Sequence, residues 1–301
     1  MSKLEMFDSA PKFWGNLLEE NPIIALTGIT YTLQPHGIPS NNQLIQEYSG
    51  MLLDTELQEG KWPYFRPIWH SRPENEFDPQ TFAVGSLVYI WPNKDEGQPY
   101  LETKLYAKHL NYEREMSLKD LERYGIKPMA MVMTDFDCQN NEQNLQKIIT
   151  TLKNTYKSSD WTIFITEQSF HVVFKEFVNP KNIPWHYGKI IKAFALTEDG
   201  NKKYFFEKIG CDLQQFYNKP DKIRETCGFI LEKISHYDDP SPNGVHYIVD
   251  LRWIAHSLME LLQYIDTGEG SFGFLRISDK SGTGSPPKIV FMNLSATSPL
   301  K

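Results

Sequence analysis

The segment MAMVMTDFD, residues 129–137, is an apolar run that ends in two carboxylates one residue apart. A short apolar run bounded by polar residues is typical of a buried β-strand. The segment WTIFITEQSFHVVF, residues 161–174, contains two more such runs, and the short polar stretch between them favours an antiparallel pair. These three predicted strands define the centre of the fold.

A helix is predicted between the first and second of these strands, over residues 140–157. Its apolar residues recur every three or four positions, and Asn140 or Asn141 is a favoured N-cap. The same signals predict helices over residues 183–195, 221–236 and 251–265, and strands over residues 23–33, 82–91, 245–249, 272–277 and 289–294. Alternation of strands and helices around mixed sheets indicates an α/β or α+β class.

The composition predicts a globular chain with an uneven charge. Its 301 residues include 40% hydrophobic side chains, enough to bury a sizeable core. The net charge of −7 is carried by the first hundred residues, which hold 13 acidic and 6 basic side chains, and an acidic total argues against a large sequence-independent surface for nucleic-acid phosphates. Residues 147–208 hold 10 lysines against 6 acids, so a polyanion contact is expected there if anywhere; an ordinary solvated face is the alternative.

Cysteine usage and hydropathy bear on the compartment. The three cysteines are far apart and form neither a disulfide framework nor a zinc-spaced cluster. No apolar stretch approaches the roughly 18 residues that span a bilayer, and the first twenty residues do not resemble a secretory signal. We therefore expect a cytoplasmic protein without a membrane partner.

The two carboxylates after the first strand form the first candidate site. In an extended segment residues i and i+2 face the same side, so Asp135 and Asp137 would point into one space. Close carboxylates repel each other unless a cation lies between them, and magnesium and manganese prefer such oxygen ligands. A third ligand could be Asp250, which ends the apolar run YIVD and is also a favoured cap for the next helix. A solvent-exposed turn is the alternative for the first pair.

The second candidate site is the pair Ser169 and His171, which flank Phe170 at the third predicted strand. Their side chains would share one face and could donate hydrogen bonds to phosphate oxygens, while Phe170 would turn into the core. A Ser–His nucleophilic pair would need an elbow and an oxyanion hole, and no GxSxG surrounds Ser169. A purely structural role for a buried His171 is the other alternative.

A polar loop over residues 276–284, RISDKSGTG, is the third candidate. Loop glycines let backbone N–H groups approach an anion, and Arg276 and Lys280 could supply positive charge. The loop lacks the GK[ST] of a P-loop, and a plain hairpin connection is the alternative.

Taken in order, AMVMTDFD, TIFITEQSFHVVF, YIVD and FLRISDKSGTG resemble the motifs of the archaeo-eukaryotic primase superfamily, which includes the primase-polymerases. The segment YEREMS, residues 112–117, is similar to one that precedes the family's first motif. The resemblance covers about residues 111–290. Two features depart from the family: residues 166–168 read TEQ in place of a glycine-rich run, and Arg276 is distant from the preceding motif, so Arg252 is an alternative for the basic position.

The resemblance implies an α+β catalytic core over residues 111–301, with mixed sheets, flanking helices and an RRM-like unit. Residues 1–110 have no assigned role and are expected to pack on this core. The implied activity is template-dependent nucleotidyl transfer, as a primase or DNA polymerase. Its partners would be nucleoside triphosphates, single-stranded or primed DNA, and a helicase or other replication protein on another chain.

The resemblance also implies a role for each candidate residue. Mg²⁺ or Mn²⁺ would be held by Asp135, Asp137 and Asp250. The incoming triphosphate would be bound by Ser169, His171, Arg276 and Lys280. Two other classes stay open. A metal-dependent phosphoesterase or nuclease could use the same carboxylates with His171 as general acid or base. A catalytically silent DNA-binding replication protein would need no metal.

Overall fold

The computed structural model describes residues 24–31, 81–90, 127–197, 222–234, 245–268, 271–276 and 286–294, together with positions 10, 13, 14, 17 and 125. Three features of the sequence lie outside the described residues: the segment 112–117, Lys280 and most of the polar loop that contains it.

The described strands form one large antiparallel sheet and a small one. They are β1 (Ile24–Tyr31), β2 (Thr81–Ile90), β3 (Lys127–Asp135), β4 (Trp161–Ile165), β5 (Phe170–Val178), β6 (Ala195–Thr197), β7 (Val245–Tyr247), β8 (Leu275–Arg276) and β9 (Lys288–Asn293). Seven strands make the large sheet in the order β1-β2-β3-β5-β4-β9, with β8 paired to β2, while β6 pairs with β7. Every strand pair in the described ranges is antiparallel, which differs from the mixed sheets expected.

In the described ranges from residue 127 onward, four α-helices accompany the sheet, which confirms the general α+β class. They are α1 (Glu142–Thr155), α2 (Ile183–Phe194), α3 (Ile223–Ile234) and α4 (Leu251–Thr267), with a short 3-10 helix at Pro180–Asn182. Helix α1 begins after Asn141, whose side chain accepts a hydrogen bond from the backbone N–H of Asn144 at 2.9 Å. No helix in the described part of the chain is long and apolar enough to cross a bilayer.

Alternation along the strands divides the buried side chains between two cores. On β3, Ala130 and Val132 point to the core that the four helices cover, and Phe136 continues this row. Met131 and Met133 point to the other side, where a second core includes Ala10, Phe13, Trp14 and Leu17. We call these sides the helix-covered face and the opposite face. Asp135, two residues beyond Met133, therefore follows the row of the opposite face.

Residues from both sides of position 110 build the large sheet. Strand β2 pairs with β3 from Leu87 opposite Ala130 to Ile90 opposite Lys127. Strand β1 pairs in turn with β2. The expected division at residue 110 thus runs between strands of one continuous sheet.

A candidate carboxylate site at the end of strand β3

Main-chain hydrogen bonds bring two distant segments together at the end of β3. The backbone N–H of Asp250 donates to the carbonyl of Asp135 at 2.9 Å, and the N–H of Asp137 donates to the carbonyl of Ile248 at 2.8 Å. Between them, Phe136 and Val249 form an antiparallel bridge. This short ladder places Asp250 beside the pair predicted from the sequence, although more than a hundred positions separate them.

The three carboxylates affect one another electrostatically. Burial, followed by the charge of Asp250, raises the pKa of Asp135 well above its ordinary value, and Asp137 adds to the increase. Burial and Asp250 also raise the pKa of Asp137, which is more exposed. A raised carboxyl pKa means that the folded chain disfavours the charged form. The segment therefore concentrates negative charge that a cation would stabilise.

Asp250 also has the structural role that its position predicts. Its Oδ1 accepts hydrogen bonds from the backbone N–H groups of Arg252 at 2.8 Å and Trp253 at 3.0 Å, so it is the N-cap of α4. Its Oδ2 lies 3.4 Å from Nη2 of the Arg252 guanidinium. Both carboxyl oxygens are therefore engaged by the first turn of its own helix.

His171 lies directly across from Asp135 in the strand pair β3–β5. Its Nε2 is 3.4 Å from Oδ1 of Asp135, and only 7% of the residue is exposed. Burial, followed by the charge of Arg276, lowers the pKa of His171 to about 3. The imidazole is therefore neutral at physiological pH. Its neighbour Phe170 is fully buried in the helix-covered core, as the alternation predicts.

Arg276 belongs to the surroundings of His171. It is the last residue of β8, opposite Ala83 of β2, and it is 8% exposed. Its guanidinium is close enough to His171 to lower the pKa of that imidazole. Arg276 is therefore within electrostatic range of His171.

The hydroxyl of Ser169 contacts the chain that carries the carboxylates. Its Oγ donates to the carbonyl of Phe136 and accepts from the backbone N–H of Cys138 at 3.3 Å. The side chain therefore fixes the segment after β3 to the turn before β5. This contact was not expected from the sequence, which suggested a phosphate ligand for that hydroxyl.

Asn140 is a residue whose role the sequence did not reveal. Its Nδ2 donates to the carbonyls of Thr166 at 2.9 Å and Glu167 at 2.8 Å. Its backbone N–H donates to the carbonyl of Gln168 at 3.1 Å. The pattern suggested only a helix cap, and the cap is its neighbour Asn141. Asn140 instead holds the β4–β5 turn against the end of the carboxylate segment.

The donor chemistry of the site fits a hard divalent cation, but the ligands are not fully arranged for one. Carboxylate oxygens are the ligands that magnesium and manganese prefer, and a cation would offset the burial and the repulsion by Asp250 that raise the pKa of Asp135. Among the residues that the structure describes, no three His, Cys, Asp or Glu side chains are grouped so that they could hold one ion. As a ligand, Asp250 would bind the ion while its Oδ1 caps α4 and its Oδ2 lies 3.4 Å from the Arg252 guanidinium.

Comparison of the chain with protein-family models, curated proteins and solved structures finds no match. Membership in the primase superfamily therefore stays a prediction from the motifs. The functional interpretation depends on the geometry of the carboxylate segment and its neighbours.

Proposed function

We propose that the chain is a template-dependent nucleotidyltransferase, a primase or DNA polymerase, with a metal site at Asp135, Asp137 and Asp250. The observation that carries this proposal is the convergence of the three carboxylates. Two of them end one apolar strand, the third follows another, and burial together with mutual repulsion raises the pKa values of Asp135 and Asp137. The charged forms of Asp135 and Asp137 are disfavoured in this arrangement, and a bound cation would offset that cost.

The neighbouring residues have roles that suit this chemistry. A divalent metal would activate the attacking 3′-hydroxyl and stabilise the leaving pyrophosphate. The backbone N–H of Phe136 donates to Oδ1 of Asp135 at 2.8 Å, and His171 lies against the same oxygen, so this carboxylate has a fixed orientation. Arg276 supplies positive charge for phosphate oxygens, and the neutral His171 can offer one hydrogen bond to the same group.

A second candidate, a DNA-binding replication protein without catalysis, is favoured by the engagement of Asp250. Its two carboxyl oxygens serve the cap of α4 and the guanidinium of Arg252. A carboxylate that is satisfied in this way needs no metal. Such a protein would bind single-stranded or primed DNA equally well with and without magnesium or manganese.

A primer-extension assay tests the proposal, with magnesium or manganese and with ribonucleotides and deoxyribonucleotides offered separately. Metal-dependent extension supports the nucleotidyltransferase. Release of mononucleotides from the same DNA would indicate the phosphoesterase or nuclease instead. DNA binding without extension, cleavage or a metal requirement would indicate the silent protein.

The variant Asp250→Asn distinguishes the helix-capping role of Asp250 from its proposed role as a metal ligand. Asparagine is as good an N-cap as aspartate, so α4 should keep its start, whereas the negative charge is lost. We expect extension to fall about 100-fold or more because a catalytic metal contributes several kcal/mol. The matched control is Asp266→Asn, near the other end of α4, whose carboxylate pairs with Arg224 on the surface. Full activity of Asp250→Asn would show that this residue is only a cap.

A further inference from the structure

A row of aromatic side chains crosses the helix-covered core and reaches the surface at both ends. Its inner members are Phe174 of β5, which lies across from Trp161 of β4, and Tyr156 after α1, whose ring centroid is 4.5 Å from that of Phe174. At one end, Phe291 of β9 stacks on Trp161 with ring centroids 5.4 Å apart. The other end is Trp185 of α2. The inner rings are buried, whereas the two end rings are partly exposed.

Lysine ammonium groups lie over the rings at both ends of this row. The Nζ atom of Lys189 is 4.1 Å from the ring centroid of Tyr156 and 5.2 Å from that of Trp185. The Nζ atom of Lys153 is 5.2 Å from the ring centroid of Phe291. An ammonium group within about 6 Å of a ring centroid is attracted by the negative face of the ring. Each end of the row therefore combines an aromatic ring with a positive charge.

Helix α2 continues this combination along its surface. Trp185, Lys189 and Lys192 are four and then three positions apart, a spacing that places them on one side of a helix. Lys192 is exposed. Burial lowers the pKa of Lys189, although the charge of Glu176 opposes this shift. The charged form of Lys189 is thus partly desolvated, and a further negative group beside it would stabilise that form.

The local charge of this part of the chain favours a polyanion. Residues 147–197 contain seven lysines and no arginine, against three acidic residues, Asp160, Glu167 and Glu176. The whole chain has a net charge of −7, but exposed charges act over only about 8 Å at physiological ionic strength. The charge close to a bound ligand therefore matters more than the total.

We infer that the two ends of the aromatic row and the lysines beside them form a binding surface for single-stranded nucleic acid. We call it the helix-side surface, and its residues are Lys153, Trp185, Lys189, Lys192 and Phe291. Surfaces that bind single strands combine positive charges for the phosphates with aromatic rings for the bases. A duplex keeps its base faces inside the stack, so an unpaired strand is the better fit for exposed rings.

The helix-side surface is separate from the carboxylate site. Trp161 and Phe174 lie at one end of the β4–β5 strand pair, and His171 lies near the other end, beside the turn. The rings of the row also belong to the helix-covered core, whereas Asp135 follows the opposite face. The inference therefore requires neither a metal ion nor the proposed catalysis, and it adds a second contact to the one that catalysis would need.

Fluorescence anisotropy of a labelled oligothymidylate of about 20 nucleotides tests the inference, in the presence of EDTA and over a range of salt concentrations. The triple variant Lys153→Gln, Lys189→Gln, Lys192→Gln should bind about 10-fold more weakly or worse. Its plot of log Kd against log salt should be shallower by about 2, because each phosphate contact of a single strand contributes about 0.7 to the slope. Trp185→Leu should weaken binding about fivefold or more at an unchanged slope, because it removes stacking but no charge.

One variant and two ligands serve as controls. Lys222→Gln removes a lysine whose Nζ already bonds Glu225 at 2.7 Å, and it should change neither the affinity nor the slope. A duplex of the same length and a polyglutamate of the same net charge should both bind more weakly than the oligothymidylate. Thermal unfolding shows whether each variant keeps the fold. If Trp185→Leu does not fold, the triple lysine variant still decides the outcome.

The outcomes separate this inference from the proposed function. Unchanged affinity of the triple lysine variant would overturn the helix-side surface, and so would equal affinity for the duplex or for polyglutamate. Neither result would affect the carboxylate site, which the primer-extension assay tests independently. If the wild type binds oligothymidylate through these lysines but extends no primer, the proposed catalysis fails and the helix-side surface stands. Normal oligothymidylate binding by Asp135→Asn, together with loss of extension, supports both.

Discussion

The two faces of the β3–β5 strand pair carry different kinds of side chain at the same end of the strands. One face buries aromatic rings, and the other carries ionisable groups. On the helix-covered face, Phe136 and Phe170 are fully buried, and Phe136 packs edge-on against Phe194 with ring centroids 5.0 Å apart. On the opposite face, Asp135 and His171 are a cross-strand pair of ionisable groups. Burial of the aromatic rings stabilises the fold, whereas burial of the ionisable pair disfavours their charged forms.

This contrast indicates how the sheet can carry a site that is unfavourable by itself. Phe136 and Phe170 anchor the ends of the two strands in the helix-covered core, and the same backbone then presents Asp135 and His171 side by side. Because the side chains of neighbouring residues in a strand face opposite ways, one face can be optimised for packing and the other for chemistry. The following predictions test whether stability and function divide between the faces in this manner.

The largest effect on stability is expected for Phe170→Ala. Phe170 is fully buried in the helix-covered core, and removal of a buried phenyl ring leaves a cavity as well as losing the transfer free energy. We expect the free energy of unfolding to fall by about 3–5 kcal/mol. Urea unfolding followed by circular dichroism measures the loss. A loss below about 1 kcal/mol would mean that the helix-covered face does not anchor the strand pair.

Asp135→Asn should affect function without reducing stability. Because burial and Asp250 raise the pKa of Asp135 in the folded chain, its negative charge at pH 7 opposes folding. We expect the variant to be at least as stable as the wild type at pH 7, while primer extension falls about 100-fold or more. The stability advantage should disappear as the pH falls towards the ordinary carboxyl range, where both states are protonated. A marked drop in melting temperature at pH 7 would contradict this assignment.

His171 should make the fold sensitive to acid. Its pKa is about 3 in the folded chain against an ordinary value of 6.5, so the unfolded chain takes up the proton first as the pH falls. The free energy of unfolding should therefore be unaffected by His171 above pH 6.5. It should decrease as the pH falls from 6.5 towards 3, by up to about 1.4 kcal/mol per pH unit. The raised pKa of Asp135 works in the opposite direction, so the effect is best measured in Asp135→Asn.

The measurement is urea unfolding between pH 7 and pH 4. It compares the single variant Asp135→Asn with the double variant that combines Asp135→Asn and His171→Gln. The single variant should lose more stability over this interval than the double variant. Equal slopes would show that the imidazole is not held neutral by burial.

Ser169→Ala is expected to have the smallest effect, and it distinguishes two roles of the hydroxyl. The carbonyl of Phe136 would lose a donor and the N–H of Cys138 an acceptor, which should reduce the free energy of unfolding by about 1–2 kcal/mol. Nucleotide affinity should change little, because the hydroxyl already bonds the main chain. A large loss of nucleotide affinity at unchanged stability would restore the phosphate-binding role that the motif implied.

Local spacing was sufficient to predict most of the secondary structure. Strand β4 coincides with the first apolar run of the segment 161–174. Helices α1, α2 and α4 begin and end within two residues of the bounds predicted for each of them. Strand β5 is longer than its apolar run because residues 175–178 continue to pair with the start of β3. That extension depends on a neighbouring strand, and a single run of side chains does not encode it.

The sequence by itself determined which residues could form a site and which face each would take. The i, i+2 spacing predicts that Asp135 and Asp137 share one face, and alternation turns His171 away from the core that receives Phe170. These properties follow from the geometry of an extended chain and need no partner. Lys280, the remaining candidate, lies outside the described residues.

Only the tertiary structure decided which groups meet. The backbone N–H of Asp250 donates to the carbonyl of Asp135, the hydroxyl of Ser169 donates to the carbonyl of Phe136, and the side chain of Asn140 donates to two carbonyls of the β4–β5 turn. Every residue except proline has the same backbone donor and acceptor, so contacts made through the main chain leave no signature in the sequence. The pKa shifts likewise depend on burial and on charges from other segments, which exist only once the chain has folded.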